Sequence, residues 1–149
     1  MILPNTHEFY MGKALDEARQ ALDRDEIPVG VVIIHNDRII GRGHNLTESL
    51  NDVTAHAEMQ SITAAASYLG GKYLRDCTMY VTLEPCQMCA GALYWSQIST
   101  LVFGASDLKR GYQHLNTLLH PKTKVVQGIM EQECSQLLRD FFINKRDTK

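Results

Sequence analysis

One histidine, one glutamate and two cysteines stand at spacings that could bind and use a metal ion. His56 and Glu58 are separated by one residue, and Cys86 and Cys89, which follow Pro85, are separated by two. One imidazole and two thiolates suit Zn²⁺ and leave a fourth tetrahedral position open, as in catalytic zinc sites. We therefore predict that His56, Cys86 and Cys89 hold one zinc ion (Zn) per subunit. Glu58, which lies beside this set, is predicted to carry protons as the catalytic residue.

Other interpretations of the cysteines remain open at this point. A lone Cys-x-x-Cys pair could be redox-active or simply buried, and a structural zinc would need a fourth ligand. Cys77 and His44 are conceivable fourth ligands, but Cys77 precedes an apolar strand and is expected to face the core. Cys134 lies on the apolar face of the last helix and is expected to pack there. Without a recognisable export signal, we expect no disulfide framework.

Both ligand sets are predicted to lie where a helix begins. One helix is expected over residues 54–69, with His56 in its first turn, and another over residues 86–96. In the second helix, Cys86 and Cys89 would project their sulfurs from the same side. A helix N-terminus stabilises thiolates, and zinc lowers the pKa of a coordinated water to about 7. The sequence therefore predicts hydrolytic chemistry at neutral pH.

Strands and helices alternate along the rest of the chain. We predict strands over residues 29–35, 38–43, 78–83, 100–104 and 124–127, and further helices over 8–24 and 131–144. An opening hairpin followed by this alternation indicates the α/β class, as a three-layer α/β/α sandwich on a mixed five-stranded sheet. Residues 106–122 are expected to be irregular. No linker or repeat divides the chain, so residues 1–149 are predicted to form a single domain.

Composition and charge limit the kinds of partner that the protein is expected to bind. The sequence is 44% hydrophobic and 21% charged, which is typical of a globular protein. No apolar run approaches the ~20 residues of a membrane helix, so we expect a cytoplasmic protein without membrane contact. The net charge is −2, yet residues 109–149 hold eight Lys or Arg against four Asp or Glu. A basic C-terminal third is compatible with phosphate contacts, although a solvated surface is the commoner explanation.

The motifs resemble a known family. His-x-Glu with Pro-Cys-x-x-Cys is the signature of zinc-dependent nucleobase deaminases. Residues 27–30, 43–45, 54–58, 80–86, 88–92, 102–105, 133–134 and 140–142 are similar to bacterial tRNA-specific adenosine deaminases, which have the cytidine deaminase-like fold. The resemblance covers most of the chain from Phe9 to Arg146. It implies hydrolytic conversion of the wobble adenosine of a tRNA anticodon loop to inosine, with release of ammonia, by a homodimer.

The resemblance also assigns substrate contacts outside the signature. The residues concerned are Val29, Asn45, Ala57, Glu84, Asp107, Phe142, Lys145 and Arg146. In the family pattern Asn45 hydrogen-bonds the nucleoside, Val29 lines the base pocket, and the backbone N–H of Ala57 reads the purine. Asp107 contacts the sugar region of the flipped nucleotide, and Glu84 lies near the zinc ligands. The three residues nearest the C-terminus contact flanking nucleotides of the anticodon stem-loop.

Two departures keep other functions open. Residues 109–115 read Lys-Arg-Gly-Tyr-Gln-His-Leu where the family carries small residues, and residues 93–95 (Leu-Tyr-Trp) also resemble bacterial guanine deaminases. Packing of Tyr94 and Trp95 in the core is at least as plausible as a substrate role. A guanine or other free-base or nucleoside deaminase is therefore the alternative. A non-catalytic zinc-stabilised RNA-binding module is opposed by the presence of Glu58, whereas the basic tail favours a tRNA substrate.

Overall fold

The computed structural model describes residues 1–147, so the last two residues of the predicted domain lie outside it. Its elements in chain order are α1 (His7–Asp23), β1 (Gly30–His35), β2 (Arg38–His44), α2 (Ala57–Leu69), β3 (Cys77–Leu83), α3 (Gln87–Ser96), β4 (Thr100–Ala105), β5 (Lys124–Gln127) and α4 (Glu131–Asp147). The strand order in the sheet is β2-β1-β3-β4-β5. Strand β1 is antiparallel to both β2 and β3, whereas β3, β4 and β5 run parallel. The predicted mixed five-stranded sheet is confirmed.

Helices cover both faces of the sheet. Strand β1 shows this most clearly, because Val31 and Ile33 belong to the cluster that includes side chains of α2 and α3. Val32 and Ile34 point to the other face, into the cluster formed with α1 and α4. A strand buried on both faces reads as a continuous apolar run. The three-layer α/β/α architecture is therefore confirmed. No helix within residues 1–147 has the length and apolar character needed to cross a membrane.

Helix α2 begins later than the sequence predicts. The Asp52 carboxylate accepts hydrogen bonds from both the backbone N–H (2.8 Å) and the hydroxyl (2.7 Å) of Thr54. Such a local side-chain bond holds the backbone in a turn and competes with a helix. His56 is consequently the N-cap, with extended backbone angles of φ −71° and ψ 155°. His56 was predicted to lie in the first turn of α2, which was wrong, because it is the residue just before that turn. It still stands at the start of the helix.

Two glycines of β2 allow α2 to lie directly against the sheet. A Cβ added at Gly43 would come within 2.3 Å of the carbonyl oxygen of Ala57, and one at Gly41 within 2.6 Å of that of Ser61. Because a real Cβ does not approach backbone oxygen so closely, only glycine fits at either position. This contact determines how far the first turn of α2 lies from the sheet. It thereby also determines the position of His56, which immediately precedes that turn.

The side chains that were predicted to pack in the core divide into two groups. Cys77 and Cys134 are buried, as expected. Trp95 is 77% exposed, so the core-packing interpretation is wrong for that residue. Helix α3 turns Ala90 and Leu93 toward the sheet, and Trp95 falls outside this buried stripe.

Candidate active site

Three side chains converge from the starts of two helices. The Nδ1 atom of His56 lies 3.6 Å from the Sγ of Cys86 and 3.5 Å from the Sγ of Cys89. His56 is the N-cap of α2 and Cys86 the N-cap of α3, while Cys89 lies in the first turn of α3. Neither N-cap side chain caps its own helix. The imidazole and the thiol are therefore free to face one another.

The spacing of these three atoms fits a tetrahedral zinc ion. Bonds of about 2.3 Å to sulfur and about 2.0 Å to nitrogen at tetrahedral angles place the two ligand atoms about 3.5 Å apart. The observed nitrogen-to-sulfur distances of 3.5 and 3.6 Å agree with this value. All three ligand atoms lie within 4.8 Å of one another, and within residues 1–147 neither His44 nor Cys77 belongs to the group. The donor set therefore fits a three-ligand zinc site.

The thiols and the imidazole shift one another's pKa. The pKa of Cys86 is lowered to about 4, chiefly because its thiolate accepts a hydrogen bond from Cys89, with His56 adding to the effect. The same bond raises the pKa of Cys89, and the contact with Cys86 raises that of His56. The three side chains thus combine a stable thiolate with protons that a bound cation would displace.

Glu58 is buried beside this cluster. Its side chain lies in the first turn of α2, and the residue is 4% exposed. Burial raises the pKa of Glu58 to about 7, and the negative charge of Cys86 acts in the same direction. A carboxyl group with a pKa near neutrality can both take up and release a proton. The position and environment of Glu58 therefore suit a proton carrier.

An open groove of about 1520 Å³ lies over the cluster. Pockets for small molecules usually measure about 300–1,000 Å³, so this groove has room for more than a single base. The predicted site residues that line it are Val29, Asn45, His56, Ala57, Glu58, Glu84, Cys86, Asp107, Phe142, Lys145 and Arg146. The remaining one, Cys89, is completely buried behind the surface. The structure thus brings all twelve predicted residues together.

Glu84 uses its carboxylate to hold one side of the groove. One oxygen accepts the backbone N–H of Asp107 (3.0 Å), and the other accepts that of Gln113 (3.1 Å). Gly111 lies against the same carboxylate, since a Cβ there would meet the Cδ of Glu84 at 2.4 Å. An isolated bridge also pairs Gly111 with Cys86. The segment of residues 107–113, which was predicted to be irregular, is therefore tied to the chain at Glu84 and Cys86.

Other predicted contact residues also have partners inside the protein. The Asp107 carboxylate accepts the N–H groups of Lys109 (3.1 Å) and Arg110 (2.9 Å). The ammonium group of Lys145 donates to the carboxylate of Asp25. This last bond joins α4 to the residues that follow α1, at the edge of the groove.

Several groove residues were not found by the sequence analysis. Lys109, Arg110 and Arg139 line the groove, as do residues of the loop between β2 and α2. The sequence did offer one indication of these residues. The adjacent basic pair Lys109-Arg110 begins the segment that departs from the family pattern. Residues 93–95, which resemble guanine deaminases, are not among the groove-lining residues of the described chain.

Comparisons with known proteins show which family the chain resembles. The family model of MafB19-like deaminases matches residues 5–146. The chain is 43% identical to the tRNA-specific adenosine deaminase of Bacillus subtilis (strain 168), over 95% of this chain and 92% of that enzyme. It is 40% identical to the chloroplastic tRNA(adenine(34)) deaminase of Arabidopsis thaliana over 91% of this chain, but spans only 12% of that protein. A solved structure from a study of A-to-I editing by tRNA:A34 deaminases superposes with a TM-score of 0.81 at 41% identity, covering 87% of this chain and 98% of the other.

Proposed function

The chain belongs to the MafB19-like deaminase family, and from this membership we propose that it converts the wobble adenosine of a tRNA anticodon loop to inosine. The observation that carries the proposal is the coincidence of a buried carboxyl and a His/Cys/Cys cluster at the floor of a groove too large for one base. The tRNA-specific adenosine deaminases among its relatives support the choice of substrate. An anticodon loop suits the site because an unpaired base is extruded at the least cost.

We propose that His56, Cys86 and Cys89 hold one zinc ion per subunit. When bound, the ion supplies Lewis-acid activation of water at neutral pH. The fit of the ligand distances to zinc–nitrogen and zinc–sulfur bond lengths supports this assignment. The rest of the chemistry falls to the side chains of the groove.

Glu58 is proposed to move the protons. Its carboxylate takes a proton from the attacking water and passes it to a ring nitrogen while the water oxygen bonds to C6 of the adenine. Glu58 then delivers the second water proton to the amino group as the C6–N bond breaks, and ammonia leaves. The N–H of Ala57, the amide of Asn45 and the side chain of Val29 belong to residues that line the same groove as Glu58, and they are proposed to orient the base.

The groove is proposed to bind the RNA on either side of the reacting base. Lys145 and Arg146 of α4 and the newly identified Lys109, Arg110 and Arg139 place positive charge along it. Such cations contact phosphates independently of sequence. Phe142, which is partly exposed in the same groove, offers a face on which an unpaired base can stack.

We also propose that residues 1–149 form one deaminase domain and that two copies associate in the cytoplasm. The family model, which matches residues 5–146, supports the single domain. Tyr68 of α2 and Trp95 of α3 are exposed aromatic residues on helices that contact each other, which supports a partner that binds at these helices. A second copy of the chain is the partner that the family resemblance implies. Light scattering should then give the mass of two chains, and Trp95→Asp should reduce it to one.

A panel of substrates tests the proposed reaction. The protein should be incubated with an anticodon stem-loop carrying a wobble adenosine, with the same RNA carrying guanosine there, and with free adenosine, guanine and cytidine. Inosine formed only in the first RNA is expected. Turnover of free guanine without inosine in the RNA would instead establish the alternative, a free-base deaminase.

A further inference from the structure

Glu26 is a buried carboxylate that the proposed chemistry does not use. It is 0% exposed and is the third residue after the end of α1 at Asp23. There the chain turns through Asp25, whose φ is 59°, while the N–H groups of Asp25 and Glu26 bond back to the carbonyls of Leu22 and Ala21. This is a Schellman-type helix end, which fixes the backbone of the residue that follows it. The backbone of Glu26 is therefore fixed next to Ile27, which lines the groove.

All the hydrogen bonds recorded for this carboxylate lead to one loop. Its oxygens accept the backbone N–H of Glu48 at 3.0 Å, the backbone N–H of Ser49 at 2.6 Å and the hydroxyl of Ser49 at 2.7 Å. Burial alone would raise the pKa of Glu26, but these hydrogen bonds outweigh it and lower the pKa below the ordinary value. The group is consequently ionised at neutral pH and satisfied by neutral donors.

The loop that Glu26 holds forms one edge of the groove, which we name the 47–53 rim. Five residues of this rim line the groove: Thr47, Glu48, Asn51, Asp52 and Val53. Val53 is 84% exposed. The other hydrogen bonds recorded for the rim stay local, such as those from Asp52 N–H to Thr47 and from Leu50 N–H to Leu46. Glu26 therefore supplies the hydrogen bonds that tie the rim to the body of the protein.

We propose that Glu26 is a positioning residue that fixes the 47–53 rim in the shape against which the RNA beside the reacting base binds. The role rests on the tRNA substrate proposed above. A carboxylate suits this role because both of its oxygens only accept, whereas an amide would turn an NH₂ group toward N–H donors. A loosened rim must be ordered by the substrate on binding, which weakens affinity. Catalysis after binding should be spared, because α2 is seated independently by Gly41 and Gly43.

Steady-state kinetics of Glu26→Gln on the anticodon stem-loop test the role. We expect KM to rise about tenfold with kcat within about twofold of the wild type, since the ordering cost falls on binding. Metal content should not change. Amide hydrogen exchange should accelerate at Glu48 and Ser49 but not in β1 or β3. Glu8→Gln, an exposed glutamate on α1, is the matched control and should behave as the wild type.

A milder variant distinguishes a positioning role of Glu26 from simple loss of the fold. Ser49→Ala removes only the hydroxyl bond at an exposed position, so KM should rise by about threefold without loss of stability. An unchanged KM in Glu26→Gln would overturn the proposal. So would a loss of kcat and metal in Glu26→Gln with Ser49→Ala like the wild type, since Glu26 would then support the fold alone. If the wild type makes no inosine in the RNA, the proposed function itself fails, and this role fails with it.

Discussion

The metal cluster and the two rims of the groove are built by different means. The cluster takes its ligands from the starts of two regular helices, and neighbours in sequence supply most of it. The rims are irregular segments, residues 47–53 and 107–113, and each is held by one buried carboxylate that accepts backbone N–H groups. Glu26 holds the first and Glu84 the second. The difference indicates that regular helices position the groups for the reaction, whereas irregular segments held by side-chain hydrogen bonds shape the surface for recognition.

The difference also predicts how each region fails. If the cluster holds zinc as proposed, the loss of one ligand should prevent the ion from binding, because two remaining ligands bind zinc poorly. A carboxylate lost from a rim leaves part-buried backbone N–H groups without their acceptor, which loosens the rim while the sheet stays intact. Damage to the cluster should therefore abolish the reaction, and damage to a rim should weaken binding of the substrate.

Replacement of Cys86 by Ser should have the largest effect. Serine keeps the size of the side chain but does not provide the thiolate that zinc prefers. We expect metal content to fall from one ion per chain to almost none, with no measurable deamination. Atomic absorption and the stem-loop assay measure the two quantities. Cys134→Ala, a cysteine outside the cluster, should keep its metal, and a metal-replete Cys86→Ser protein would disprove the ligand assignment.

Glu58→Gln should remove the proton carrier and leave the cluster intact. Proton transfer by a positioned side chain contributes about 10²–10⁴-fold in rate, so kcat should fall by that factor. Metal content should remain at one ion per chain. Loss of the ion would instead make Glu58 a ligand, and near-normal turnover would remove it from the mechanism.

Gly111→Ala should distort the 107–113 rim. The added Cβ would come within 2.4 Å of the Glu84 Cδ and 2.5 Å of the Asp107 carbonyl oxygen. Overpacking of this kind costs about 1–3 kcal/mol, and we expect KM for the stem-loop to rise more than kcat falls. Gly12→Ala in α1 meets nothing within 4 Å and should stabilise the protein slightly. Equal behaviour of the two variants in urea unfolding and in kinetics would contradict the close contact at Gly111.

At low pH, the ionised carboxylate of Glu26 should no longer contribute to the free energy of unfolding. Because its pKa is lowered from 4.5 on folding, the folded state binds the proton less readily than the unfolded chain does. The stabilisation is complete above about pH 4.5 and is lost as the pH falls through the lowered value in the folded state. The difference in unfolding free energy between wild type and Glu26→Gln should thus be constant from about pH 7 to 5 and shrink below. Urea unfolding at several pH values measures it, since all other carboxyl groups titrate in both proteins. A difference that does not change with pH would show that folding leaves the pKa of Glu26 at its ordinary value, against the lowered pKa expected here.

The sequence was sufficient for the parts that local patterns determine. Apolar periodicity and turn residues predicted every strand and helix, and β5 was predicted to the residue. The start of α2 was missed because the turn made by Asp52 and Thr54 depends on side-chain geometry. The hydrogen-bond partners of Glu26 and Glu84 were beyond pattern analysis, since most of them are backbone N–H groups, which nearly every residue type offers. Trp95 was misjudged because an apolar residue type does not reveal which face of a helix carries it.

The two glycines of β2 should give the hairpin a part in metal affinity, although no residue between 30 and 44 is among the groove-lining residues of the described chain. Zinc tolerates deviations of only about 0.2 Å in its bond lengths. A methyl group at Gly43 would be 2.3 Å from the Ala57 oxygen, so α2 would have to rise by far more than that tolerance. Strand β2 therefore determines how far His56 lies from Cys86 and Cys89. In a mutational survey, Gly41 and Gly43 should be as intolerant of change as the ligands themselves.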